Sequence, residues 1–128
     1  MKKEKLLQLY KKYGLTQDDV FKHEHYVIIR RTGIEKIEAK ENIHITYKSI
    51  KAETNFAVIK AIGTLDNRTM ETFGSAYKGA TFKDGNTNSW YVCEMAEKRA
   101  FSRIVLKLTG FYALGVFSED ESEEFKKQ

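Results

Sequence analysis

The chain has 128 residues, 41% of them hydrophobic and 31% charged, which suits one folded domain and is too apolar for a disordered tail. Its formal net charge is +4, with 22 Lys and Arg against 18 Asp and Glu. A single cysteine, Cys93, excludes an internal disulfide framework and a multi-cysteine zinc site, and no apolar run approaches the roughly 18 residues of a membrane span.

In chain order, residues 3–13 read as a short amphipathic helix. Leu6, Leu9, Tyr10 and Tyr13 recur at spacings of three and four, lysines fill the other side, and Gly14 is a left-handed stop. The basic start is followed by no apolar core or small-residue cleavage site, so a signal peptide is not expected. Thr16 before Gln17-Asp18-Asp19 resembles a capping box opening one brief turn through Phe21.

A β-rich middle is expected next. Residues 26–31 (YVIIRR) form a strand, and Thr32-Gly33 turns it into a second over 34–38. Alternation over 43–48 places Ile43, Ile45 and Tyr47 on one face. Residues 56–62 (FAVIKAI) are apolar almost throughout, as in a central strand covered on both sides. A further strand runs over 70–77, and 83–89 (KDGNTNS) is a turn-rich loop.

The longest helical pattern spans 90–109, with Asn88 or Ser89 as N-cap and Gly110 as stop. At 100° per residue, Cys93, Ala100, Phe101, Ile104, Val105 and Leu108 make a core side, and Glu97 within that sector needs a partner or a wet margin. Arg99, Arg103 and Lys107 line up on the other side with Ala96. Residues 111–117 form a last strand or packed loop. From Ser118 the chain is a charged tail, with five acids and two lysines over 119–128. The expected architecture is α+β: an antiparallel sheet of about five strands, a short N-terminal helix and one long C-terminal helix packed on the sheet. Residues 1–117 make the domain and 118–128 an acidic tail.

Eight Phe, seven Tyr and one Trp accompany the basic body. Cations neutralise phosphates and flat rings stack on unpaired bases, so the combination points to single-stranded nucleic acid. No helix-turn-helix or zinc-finger pattern points to a duplex. The Arg99/Arg103/Lys107 stripe would track a phosphodiester backbone, although an ordinary solvated helix face has the same pattern. The candidate DNA-binding residues are Arg30, Arg31, Lys48, Lys60, Tyr77, Lys78, Trp90, Lys98, Arg99, Arg103 and Lys107, with Tyr26, Tyr47, Phe73, Phe82 and Tyr91 as neighbouring rings.

His23, His25 and His44 lack the additional donors of a metal site, and Cys93 lacks a base and reads as core packing. Asp66, Glu71 and Asp84 have no diagnostic spacing, and P-loop, dinucleotide and nucleophile-elbow motifs are absent. No catalytic residue, metal or cofactor is expected.

The segment 94–125, EMAEKRAFSRIVLKLTGFYALGVFSEDESEEF, resembles a C-terminal segment of phage single-stranded-DNA-binding and strand-annealing proteins, which include distant relatives of the eukaryotic annealing mediators. The resemblance rests on Ala96-Glu97-Lys98-Arg99-Ala100, Arg103, Leu106, Leu108 and Gly110. It implies backbone contacts from Lys98, Arg99 and Arg103, and single-stranded DNA of a bacteriophage as the partner in the host cytoplasm, with no membrane role. Replication or recombination proteins would meet the acidic tail. Strand annealing, or a protein-interaction module of the replication machinery, are the alternatives.

Overall fold

The computed structural model describes residues 2–23, 26–79, 85, 87 and 90–120. It is α+β, but its strands divide into two sheets of three. Helix α1 covers Lys2–Tyr13, and Gly14 at φ +66° ends it, with the Leu15 N–H bonded back to the Tyr10 carbonyl. The capping-box pattern at Thr16 forms without a helix. The Asp19 carboxylate accepts the Thr16 N–H at 2.9 Å while Thr16 Oγ1 accepts the Asp18 N–H at 3.2 Å, and the chain then enters β1, Val20–His23.

β2, Tyr26–Ile29, pairs antiparallel with β1 and parallel with the late strand β6, Val116–Ser118. The expected turn at Thr32-Gly33 and strand over 34–38 are replaced by helix α2, Arg31–Glu41. Ile34 and Ile37 are three apart and both fully buried, a helical period rather than an alternating one. Gly33 is there because of space: a Cβ would lie 2.5 Å from Ile29 Cγ2. Asn42, in the left-handed region at φ 52°, caps the end.

β3 (His44–Ala52), β4 (Phe56–Leu65) and β5 (Arg68–Tyr77) form the second sheet as an antiparallel meander. β4 is central, as expected, but covered on one side only. Ala57, Ile59, Ala61, Gly63 and Leu65 are buried, while Val58, Lys60, Ile62 and Thr64 between them are half-buried.

The long helix α3 runs Val92–Leu108 and packs on β4 and β5 with one side and on α2 and β6 with others. The proposed caps Asn88 and Ser89 lie outside the described residues. Tyr91 holds the N-cap position, and Gly110 at φ +89° follows the end of the helix. Small residues let α3 close on the sheet: Ala96 and Ala100 are fully buried, and a Cβ on Gly74 would sit 2.2 Å from the Ala96 carbonyl oxygen. Ile104, Val105, Leu106 and Leu108 are likewise fully buried. After a 3₁₀ turn at Tyr112–Leu114, β6 enters the first sheet.

The acidic tail was expected to begin at Ser118, yet the fold holds the chain as far as Asp120. Ser118 is buried, the Glu119 N–H donates to the Ile29 carbonyl, and Asp120 Oδ2 accepts the Ser102 hydroxyl at 2.6 Å.

Candidate nucleic-acid interface

Side chains alternate along a strand, so α3 covers one face of the β3–β4–β5 sheet, and no described element covers the other. No residue pointing to that other face is buried. Its composition follows from the register. Lys48, Lys60 and Phe73 form one cross-strand row, and Lys51, Val58 and Ser75 the next. Phe56 lies opposite Tyr77 beyond them, and Thr46, Ile62 and Glu71 form a row on the other side. Phe73 is 48% exposed and Tyr77 46%, far more than core rings allow. The Phe56 and Tyr77 rings meet edge to face at 5.9 Å, and Lys51 Nζ lies 5.6 Å from the Phe56 ring centre.

The face carries Lys48, Lys51 and Lys60 against the single acid Glu71. Lys60 Nζ meets Glu71 at 2.5 Å, and Lys51 pairs at 3.4 Å with Glu53 in the β3–β4 turn. Both pairs keep a partner open to water, where ion pairs are worth about 1 kcal/mol, so an incoming phosphate can compete for the lysines.

Of the residues expected from sequence, Lys48, Lys60 and Tyr77 come together here, with the neighbouring ring Phe73. The other candidate DNA-binding residues do not. Lys78, one residue past Tyr77, turns to the opposite side and stacks 4.0 Å over the Trp90 ring, which is 63% exposed. Arg30 covers Phe21 at 4.5 Å, while Arg31 covers Phe101 at 4.7 Å and faces Asp120, so both serve the first sheet and α2. Lys98 is exposed on the solvent side of α3, and Lys107 lies 5.5 Å over Tyr112. Phe82 and His25 lie outside the described residues.

The largest correction concerns the arginine stripe. Arg99 is 6% exposed and donates from Nη1 to the Ser75 carbonyl at 2.8 Å and from Nε to the Asp120 carbonyl at 3.1 Å. Arg103 donates from Nη1 to the Phe73 carbonyl at 3.0 Å. On an edge strand alternate carbonyls point outward, about 6.8 Å apart, and helix residues four apart are separated by about 6 Å. Arg99 and Arg103 therefore match Ser75 and Phe73 and close the free edge of β5. The face that was to be solvated is packed at Arg99, in addition to the expected core side at Ala100, Ile104, Val105 and Leu108. Searches against family models, curated proteins and solved structures find no match for this chain.

Sequence reading did not select Lys51 or Phe56. Phe56 was legible, two residues before Val58 and four before Lys60 on the same strand face. Lys51 was not, because strict alternation from Lys48 puts Ile50 on this face, and only the bulge between Ser49 and Lys51 sets Lys51 opposite Val58. Tyr47, considered as a stacking ring, points to the helix side opposite Ala61. Partial burial raises its hydroxyl pKa, and the nearby Glu97 carboxylate adds to the rise.

Proposed function

We propose that the uncovered face of the β3–β4–β5 sheet binds single-stranded DNA without reading its sequence. One observation carries this: exposed Phe73 and Tyr77 share an open sheet face with Lys48, Lys51 and Lys60. Unpaired bases offer ring faces to Phe73 and Tyr77, and the lysines neutralise the adjoining phosphates. Each stacked base would contribute about 1–3 kcal/mol. A duplex hides its base faces, so the rings favour single strands. Together with the resemblance of residues 94–125, this supports a role in protecting single-stranded DNA during replication or recombination of a bacteriophage genome in the host cytoplasm. It invokes no catalytic step.

The test is fluorescence anisotropy of labelled oligothymidylate across a range of salt. Binding should weaken with a log–log slope near −0.7 per phosphate neutralised. The double variant Phe73→Ala/Tyr77→Ala should lose at least about tenfold in affinity, the equivalent of roughly 1.4 kcal/mol. Binding that ignores salt, or a double variant that binds normally, rejects the proposal and favours a protein-interaction module.

A second reading, strand annealing by a multimer, is favoured by the asymmetry of the sheet edges. Arg99 and Arg103 close the β5 edge, whereas the outer edge of the nine-residue β3 has no strand beside it among the described residues. Light scattering with an annealing assay separates the two, because a monomer that binds without annealing excludes the second.

A further inference from the structure

A groove of about 650 Å³ lies between α1 and the first sheet, on the other sheet from the proposed DNA face. Leu6, Leu7 and Tyr10 line its α1 wall, and Val20, Lys22 and Val27 its sheet wall. In the β1–β2 register Lys22 is opposite Val27 and Val20 opposite Ile29, so these side chains share the sheet face beneath α1. Leu7 is 54% exposed and Val20 and Val27 are half-buried, so apolar surface stays open along this face. The connection over residues 14–19 is short and turns the chain back, so α1 runs antiparallel to β1. Lys22 therefore lies toward the end where α1 begins. Lys2 Nζ is at that end too, 3.2 Å from where a Cβ on Gly115 would be, beside Val116, the partner of Val27. The groove is thus cationic at one end, with Lys2, Lys3 and Lys22, and apolar toward Tyr10 and Val20.

Among the described residues no acid lies in the lining, and none of the three lysines has an ion-pair partner. Backbone groups bond along the axis of a helix and within the plane of a sheet, so a groove between the two offers an occupant side chains only. An extended peptide would bring N–H and C=O groups with nothing to bond, whereas a hydrocarbon chain brings none. We propose that this groove binds a single-chain anionic amphiphile, a free long-chain carboxylate. Its head meets Lys2, Lys3 and Lys22, and its chain lies between α1 and the face of β1–β2. The volume falls within the roughly 300–1,000 Å³ of small-molecule sites. From Lys2 to Tyr10 is about 12 Å along α1, which an extended decanoate spans. The inference does not depend on the DNA-binding reading.

The probe is decanoate, titrated calorimetrically into the full chain at low salt and below its micelle threshold. Saturable one-to-one binding is expected. It should weaken by at least about tenfold in Lys3→Glu/Lys22→Glu and in Leu7→Asp, whose exposed position leaves the core intact. Octanoate should bind about tenfold more weakly than decanoate, because each methylene withdrawn from water is worth a factor of roughly four. Decyltrimethylammonium, with the same chain and a cationic head, should not compete. Oligothymidylate should neither displace decanoate nor lose affinity in these variants. Failure of decanoate to saturate overturns the proposal, as does equal binding of octanoate or of decyltrimethylammonium. Three other results also overturn it by assigning the groove elsewhere. Displacement of decanoate by oligothymidylate would make it only a basic surface. Binding to phosphatidylglycerol vesicles that decanoate leaves intact would make it a membrane contact. A dimer that Leu7→Asp dissolves and decanoate does not would give it to a second copy of the chain.

Discussion

The contact between α3 and β5 at Gly74 positions both the arginine clamp and the open face, and it yields a sharp prediction. In Gly74→Ala the new methyl would lie 2.2 Å from the Ala96 carbonyl oxygen, 2.4 Å from the Ala100 nitrogen and 3.0 Å from its Cα. These are backbone atoms of a helix and cannot swing aside, whereas comfortable contact needs about 3.5 Å. The helix must retreat by about 1 Å, and overpacking of this kind costs about 1–3 kcal/mol. The retreat also stretches the bonds from Arg99 to Ser75 and Arg103 to Phe73, each worth about 1.5–3 kcal/mol as a hydrogen bond from a charged donor. A loss of about 4 kcal/mol is expected, a large share of the roughly 5–15 kcal/mol that stabilises a domain. Gly63→Ala is the control. Its methyl meets Ile104 Cγ1 at 2.7 Å and Leu108 Cδ1 at 2.8 Å, side-chain rather than backbone atoms, so local repacking takes up part of the overlap without moving the helix. Its cost should stay below about 2 kcal/mol. Urea denaturation of both variants, read as midpoints at constant slope, provides the comparison. Equal destabilisation by the two substitutions would refute the close backbone approach.

Three further outcomes are expected. The buried Asp19 carboxylate is opposed chiefly by its burial, but Lys36 at 2.7 Å, the Thr16 N–H and the Thr32 hydroxyl outweigh that effect and lower its pKa to about 2. Against about 3.9 in the unfolded chain, the ionised group contributes about 2 kcal/mol above pH 4, lost as pH falls through about 2; denaturation of Asp19→Asn across pH should show that contribution missing at pH 7 and the acid dependence flattened. Arg99→Lys should cost about 2–4 kcal/mol in chemical denaturation, because one ammonium cannot reproduce the planar fork that reaches the Ser75 and Asp120 carbonyls. In oligonucleotide titrations, Lys48→Glu should weaken binding and make its salt slope shallower by about 0.7. Lys98→Glu, on the solvent side of α3, should leave the slope unchanged.

Much of the architecture was legible because its signals are local. The periodicity of α1 and α3, the glycine stops at Gly14 and Gly110, the alternation of β3 and the apolar run of β4 depend on neighbours in the chain. α2 was misread because short β-rich runs flank it, although Ile34 and Ile37 already carry a helical spacing. A sign against the solvated arginine stripe was also available. Ile104-Val105-Leu106 is three consecutive apolar residues, which wrap most of a helical turn and mark a helix enclosed from several sides. Lys48, Lys60 and Tyr77 were identifiable as strand residues, but nothing local says which strands share a sheet.

By itself the amino-acid order determined where α1, β3–β5 and α3 run, that the class is α+β, and that cations and rings lie on or beside the strands. Tertiary structure decided that the strands form two sheets, that α3 covers one face of the second, and that Arg99 and Arg103 turn inward to an open strand edge. The reason is physical. A side chain's periodicity sets only the side of its own element on which it lies, whereas exposure depends on what other elements bring against that side. Arg99 and Phe73 look alike in this respect along the chain, and packing alone makes the first a buried clamp and the second an exposed ring.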